Sequence, residues 1–481
     1  MTTIDARWLL PAPDAQVQAH QRITVTGATV ATVSSGPETA GAGLVLPPIA
    51  NAHDHARLAR LSQVDSYDVP LEAWLPYLAL IPSVDPYLSS TVAFGRSALG
   101  GAGAVMAHYT RVQGLTDFPT EAREVARAAR DVGLHLGFAI HCRDRNPLVY
   151  GGEAQLLQAL APESAETIRR RFLKPYLPAA EQVAMVEAVA AEIEGDGVTV
   201  QYGPAGVQWC SDALLEMIAT NSALYGRRVH MHLLETRYQR EWADQTYPEG
   251  IVTHLDRIGL LNERVSFAHC IYLRPDEMEL IAERGATIVT NPSSNLIVSS
   301  GVAPVGEMLR RGCRVAMGLD GLAFDEDEDA LREMRLGYAI HKARGFERFM
   351  SRADLLRMVS GNGVFAITGR EDGGIIAPGG PADLLELDWD SLASELVDPD
   401  TAPLSLLLAK GTKAHVRNMI VAGRDVVRDG KLAALDLAEN ERILLEAMRA
   451  AWPETQDIRR AMPELVASLA RHHVEGLHCC C

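Results

Sequence analysis

The chain has 481 residues, of which 47% are hydrophobic and 22% charged. That length exceeds one small domain and suits a large core with an accessory domain, while the balance excludes disordered, collagen-like and low-complexity classes. With 62 acidic against 45 basic residues the formal charge is -17, which gives no general attraction for phosphate backbones or anionic membranes, so neither nucleic acid nor membrane is expected as a partner.

The opening MTTIDARWLLPAPDAQ carries charges within ten residues and lacks a basic stretch followed by an apolar one. No signal peptide is therefore read, and no segment reaches the ~18 apolar residues of a spanning helix. A cytoplasmic protein is expected. Residues 1–47 alternate apolar and polar, as in ITVTGATVATV, the pattern of half-buried strands.

From 48 to 374, short β-branched or apolar runs alternate with segments of helical spacing. The runs end near 51 (LVLPPIAN), 108 (AVMAHY), 141 (LHLGFAIH), 203 (VTVQYG), 233 (RRVHMHL), 269 (RVSFAH), 290 (ATIVT) and 320 (RVAMGLD). One helix is predicted from the N-cap Ser211 through Leu214, Leu215 and Ile218 to Gly226, another from about Asp276 through Met278 and Ile281 to Gly285. Eight strands, each followed by a helix, predict an α/β fold of the (β/α)8 TIM-barrel type. Residues 375–434 return to short strands and turns (IIAPGGPADLLELD, VRNMIVAGRDVVRDGKL). Neither flank makes a good core alone, so 1–47 and 375–434 are expected to pair into one small β-sandwich. Residues 435–481 have helical spacing and are expected to form an extension that packs on the barrel or on another subunit.

The seven cysteines are Cys142, Cys210, Cys270, Cys313 and the run Cys479, Cys480 and Cys481. The odd number and wide spread indicate reduced thiols and not a disulfide framework. For the final run, a soft-metal site and a disordered tail are both open, and the lack of other residues at ligand spacing favours the tail.

Barrel enzymes place reactive groups at the C-terminal ends of their strands. Strand one ends in His53-Asp54-His55, strand five carries His230-Met231-His232 and leads to Glu235, strand six ends in His269, and strand eight ends in Asp320-Gly321. Residues two apart on a strand face the same side, so each histidine pair can point into the mouth. An isolated His-x-His is a weak signal, a lone strand-end His is more often hydrogen-bonded structure, and Asp before Gly is usually a turn. Four such features on strands one, five, six and eight of one barrel describe a site for a borderline metal such as zinc.

These segments resemble the amidohydrolase superfamily. Within it the chain is similar to the chlorohydrolase and aminohydrolase branch, which includes S-adenosylhomocysteine deaminases, guanine deaminases and triazine hydrolases. The resemblance rests on LVLPPIANAHDH, HMHLLETRYQ, HCIYLRPDEMELIAERGATIVTNPSSN, RVAMGLDG and NGVFAITGREDGGIIAPGGPADLLELD. It implies one divalent metal ion per subunit, zinc or else iron or manganese, held by His53, His55, His232 and Asp320, with His230 in support. It implies Glu235 as the proton-shuttling acid and His269 as the residue facing the attacked carbon, with Asp320 accepting the water proton. Such an ion lowers the pKa of bound water from ~15.7 to ~7. Binuclear branches use a carboxylated Lys on strand four. That strand (VTVQYGP) has none, and Lys174 is the only lysine before position 342, which argues for one metal. Relatives in this branch form dimers or larger assemblies, so the resemblance also implies a homo-oligomer.

The chain departs from the branch in two places. Gly203-Pro204-Ala205-Gly206 stands where many relatives have Pro-His-Ala after strand four, and Thr290-Asn291-Pro292 where many have His-Asn-Pro. Candidates for substrate binding are Gln208 and Trp209, which could hydrogen-bond and stack on a planar ring, Arg143 with Arg145, which could clamp a carboxylate or phosphate, and His108 at the end of strand two. Trp209 could equally pack between helices, and the arginines could pair with Asp144. The run Asp325 to Asp329 reads first as charge at a helix N-terminus. The expected activity is metal-dependent hydrolysis of a non-peptide C–N bond, foremost the deamination of a small amino-substituted N-heterocycle by water. The alternatives are opening of a cyclic amide, displacement of an amine or halide from a heteroaromatic ring, and a catalytically silent binding protein on the same barrel.

Overall fold

A computed structural model describes residues 1–38, 43–56 and 60–479. Cys480 and Cys481 therefore lie outside the described residues. Eight parallel strands follow one another around a barrel: Ile49–Asp54, Ala102–Tyr109, His135–Cys142, Val198–Pro204, Val229–Leu233, Val265–His269, Thr287–Thr290 and Arg314–Met317. Each corresponds to one of the runs read from the sequence. The ring closes at the mouth, where the backbone N–H groups of Leu319 and Asp320 donate to the carbonyl of His53 at 3.2 and 2.8 Å. Gly318 permits this approach, because a Cβ there would lie 2.6–2.7 Å from the backbone of His53 and the side chain of Asn291.

The lower barrel is filled by small and flexible apolar side chains. Ala50, Ala104, Met106 and Ala139 pack against Val364 and Ile367, and Ala52, Val289 and Ala316 against Ala366. The latter come from the helix Gly361–Thr368, which plugs the bottom of the barrel. Gln201 ties the plug down by donating to the carbonyls of Ala366 and Ile367 at 3.1 and 2.8 Å. With the floor packed, the open space lies at the upper rim, where barrel enzymes carry their sites.

The outer helices follow their sequence signals. Ser211 accepts from Leu214 N–H at the start of Asp212–Tyr225, and Gly226 ends that helix in the left-handed conformation. Asp329 likewise caps Ala330–His341, and Arg332 bonds to Asp325, Asp327 and Asp329. The acidic run is thus paired and capping.

Strands from both chain ends form a second sheet of eight strands, in which Gly43–Leu46 joins the halves. Gly43–Leu46 pairs in parallel with Thr2–Leu9 and antiparallel with Leu384–Asp388. The sheet curls so that Val30 N–H reaches the Gly380 carbonyl and Ala382 N–H the Ala28 carbonyl. Ile23, Val25, Val30, Val45, Leu384 and Ile420 are buried inside the curl. The helices Leu437–Ala451 and Gln456–Val474 pack on the barrel side. Leu444, Ile458, Leu465 and Leu469 share a core with Leu80, Val149 and Ile168 from segments that follow barrel strands and with Val92 of the helix Pro86–Leu99. Among the described residues no helix is long and apolar enough to cross a membrane, and Cys142, Cys210, Cys270 and Cys313 are buried thiols.

Candidate functional site

Four side chains from three distant strands meet at the rim. His53 Nε2 lies 3.4 Å and His55 Nε2 3.1 Å from Asp320 Oδ1, and His232 Nε2 lies 3.3 Å from His55 Nε2. All four residues are buried. A register shift between Asn51 and Asp54 helps aim the pair on strand one, since Ala50 and Ala52 already point inward below it. Asp320 adopts φ 59° and His269 φ 72°. Non-glycine residues rarely take this left-handed conformation, and it is commonly stored at functional sites.

The far nitrogen of each ring is already engaged. His55 Nδ1 lies 2.7 Å from the His108 carbonyl, and His232 Nδ1 lies 2.7 Å from the Ala205 carbonyl. Because a carbonyl only accepts, each Nδ1 carries the proton and each Nε2 presents a lone pair. His53 Nδ1 lies 2.7 Å from His230 Nε2, and His230 Nδ1 lies 2.6 Å from Ser266 Oγ, whose hydroxyl reaches the Val229 carbonyl at 3.4 Å. Read outward from His53, every link donates to the next, so His53 Nε2 also presents a lone pair, and it has no hydrogen-bond partner. Burial keeps His53, His230 and His232 neutral by depressing their pKa values.

Three lone pairs and a carboxylate oxygen converging in a buried space repel one another unless a cation stands between them. Donors ~2.0–2.2 Å from a tetrahedral zinc ion stand about 3.3–3.6 Å apart, close to the separations seen. The residues present therefore fit a divalent metal ion, with His and carboxylate donors of the borderline kind. Ser294 Oγ donates to Asp320 Oδ2 at 2.5 Å, which leaves Oδ1 turned toward the rings. Because His230 orients His53, His230→Ala is expected to weaken metal affinity by about 10–100-fold without removing a ligand. A competition titration with a chromophoric chelator measures this, and unchanged affinity would remove His230 from the site.

Above the cluster opens a cavity of about 400 Å³, lined among others by His55, His232, Glu235, His269, Asp320, Trp209, Arg143 and Glu72. Glu235 follows strand five on a turn in which Leu234 has φ 49°. Its carboxylate faces His269 Nε2 at 3.7 Å and accepts from Ser300 Oγ at 3.4 Å. His269 Nδ1 lies 2.9 Å from Asn295 Oδ1 and 3.3 Å from Asn291 Nδ2, so an amide pair positions the ring.

Trp209 edges the cavity, its ring 6.4 Å from that of His232 and perpendicular to it. The Arg143 guanidinium lies 5.5 Å from the Trp209 ring and bonds to the carbonyls of Arg145 and Asn146. Arg145 turns away to the carbonyl of Val207. Two expected substrate contacts are not brought to the cavity wall. His108 is fully buried behind the ligands, stacked on His232 with Nε2 2.9 Å from the Gly203 carbonyl. Gln208 is buried beneath the turn at Gly206. Sequence reasoning also missed Glu72, whose buried carboxyl accepts from Tyr150 and Thr236 and is held above the usual carboxylate range by burial. Nothing at Glu72 announces this, because the segment has no barrel-strand pattern.

The sequence profile of the amidohydrolase family matches residues 44–431. A 5-methylthioadenosine/S-adenosylhomocysteine deaminase of Dictyoglomus thermophilum is 28% identical over 423 residues, covering 85% of this chain and 87% of that protein. A 5'-deoxyadenosine deaminase of Methanothermobacter thermautotrophicus is 27% identical, with the same coverage. Among solved structures, an adenosine deaminase from Xanthomonas campestris with bound zinc superposes with a TM-score of 0.75 at 23% identity, covering 93% of this chain and 98% of that one. This last likeness is one of fold.

Proposed function

The chain belongs to the amidohydrolase family, and on that premise we propose that it deaminates an amino-substituted N-heterocycle, with one zinc ion bound by His53, His55, His232 and Asp320. The observation that carries this reading is the convergence of three Nε2 lone pairs and Asp320 Oδ1 directly beneath a cavity that also holds Glu235 and His269. When bound, the ion supplies a water acidic enough to ionise near neutral pH. Asp320, beside that water, would accept one of its protons. Glu235 would carry the other proton of that water to the ring nitrogen beside the attacked carbon, and the proton held by Asp320 would pass to the departing amine, which leaves as ammonia. His269, held by Asn295 and Asn291, hydrogen-bonds the oxygen that becomes the product carbonyl.

Trp209 offers a face for a planar base, and Arg143 a cation for an acidic group carried by the substrate. The deaminase relatives named above support an aminopurine nucleoside as the first substrate to try. The departure at Pro204-Ala205-Gly206 removes one imidazole that many relatives place at the mouth, so the base is held by a different set of contacts. The test is ammonia release from zinc-loaded protein, measured over aminopurines, their 5'-substituted nucleosides, pterins and triazines, with and without a carboxylate substituent. Ammonia is expected, with carboxylate-bearing substrates losing affinity about tenfold or more in Arg143→Ala, the scale of one charge-assisted bond. Chloride or a ring-opened acid in place of ammonia would overturn deamination in favour of the neighbouring hydrolytic chemistries.

A further inference from the structure

A second group of ligand-type side chains lies outside the cavity. The short turn Leu477–Cys479 packs against the helix Arg237–Thr246, which begins two residues after Glu235. His478 Nε2 meets Glu241 Oε2 at 2.9 Å, and the donor atoms of Glu241, His478 and Cys479 all lie within 4.8 Å of one another. His478 is 0% exposed, and its Nδ1 has no hydrogen-bond partner. Its ring is boxed by Tyr238 at 5.2 Å and His473 at 5.3 Å between centroids.

We infer that Glu241, His478 and Cys479 form a second metal site, selective for a borderline ion such as zinc. Among the described residues His478 Nε2 is engaged only by a half-exposed carboxylate, and an ion bonded to Nε2 would leave Nδ1 to carry the ring proton. A thiolate, an imidazole and a carboxylate together are a donor set that suits zinc and disfavours magnesium or calcium. Glu241 and Cys479 are not fully buried, so both can shift the short way needed to close on an ion. Cys480 and Cys481 lie outside the described residues and are not counted as ligands. The ion would fasten the last turn of the chain to the helix behind Glu235. The preceding helix also borders the cavity wall, where the ring of His473 lies 5.8 Å from that of Tyr150, the hydrogen-bond donor to Glu72. The role is structural: it joins two segments 237 residues apart, and metal binding of this kind adds directly to folding stability.

The two sites differ in one readable way, since no thiol is among the donors at the bottom of the cavity. The full-length protein is stripped of metal, loaded with cobalt, and examined by elemental analysis and near-ultraviolet absorption. Two equivalents and a thiolate-to-cobalt charge-transfer band are expected. His478→Ala and Cys479→Ser should each retain one equivalent and lose the band, and in Cys479→Ser the melting temperature should fall in the metal-loaded state and stay unchanged in the stripped state. A single equivalent without a band in the parent, or a band and second equivalent that survive His478→Ala, would overturn the assignment. Cys479→Ser is close to isosteric and partly exposed, so it reads the site even if His478→Ala folds poorly.

Discussion

Glu235→Gln is expected to keep its cavity metal and lose about 10²–10⁴-fold in kcat, equivalent to about 2.7–5.4 kcal/mol of transition-state stabilisation. The substitution conserves volume and can still bond to Ser300. What it removes is the capacity to take a proton and return it. Glu235 faces His269 and Ser300, and neither belongs to the proposed ligand set, so the affinity for the ion should stay near the parental value. Single-turnover ammonia release separates this from a defect in product release. Parental turnover in the metal-loaded variant would remove Glu235 from the chemistry and require another proton carrier in the cavity, for which buried Glu72 is the available carboxyl.

The second large effect is at the ligands. Asp320→Ala and His232→Ala are each expected to lose the cavity ion and to reduce ammonia release to background. Asp320 supplies the cluster's negative charge, and its removal leaves three neutral imidazoles facing a dication in a buried space. Asp320→Asn refines the point. It preserves shape and a partner for Ser294 Oγ but not the charge, so a large loss of affinity there assigns the effect to electrostatics. Elemental analysis of the purified variants, read beside circular dichroism, checks the outcome. Full occupancy in folded Asp320→Ala would remove Asp320 from the ligand set.

The barrel was legible in the sequence because its strands are buried on both faces and read as apolar runs with turn signals between them. The His-x-His pairs were legible for a related reason, the two-residue period of a strand, which outlasts a register irregularity just below His53. What could not be read were contacts made across the fold. Tyr150 meets Glu72 over 78 residues, and His478 meets Glu241 over 237. Neither pair has a local spacing that marks it. His108 was placed correctly at a strand end, but its ring turns toward the Gly203 carbonyl, and a strand pattern does not report which neighbour a rim side chain will bond. Gln208 was expected to hydrogen-bond a planar ring beside Trp209, but its amide is buried against Gly206. Cys479, in the run read as a tail for want of neighbours at ligand spacing, has donor atoms of His478 and of Glu241, on a helix far earlier in the chain, within 4.8 Å.

In the proposed chemistry, side chains at the ends of the first, fifth and eighth strands hold one cation beneath the cavity. The most direct measurement is an anomalous difference map at the zinc edge from crystals of the full-length protein grown with zinc. A peak is expected bonded to the Nε2 atoms of His53, His55 and His232 and to Asp320, at about 2.0–2.2 Å. A map with no peak there, and the three imidazoles bonded instead to one another through water, would contradict it.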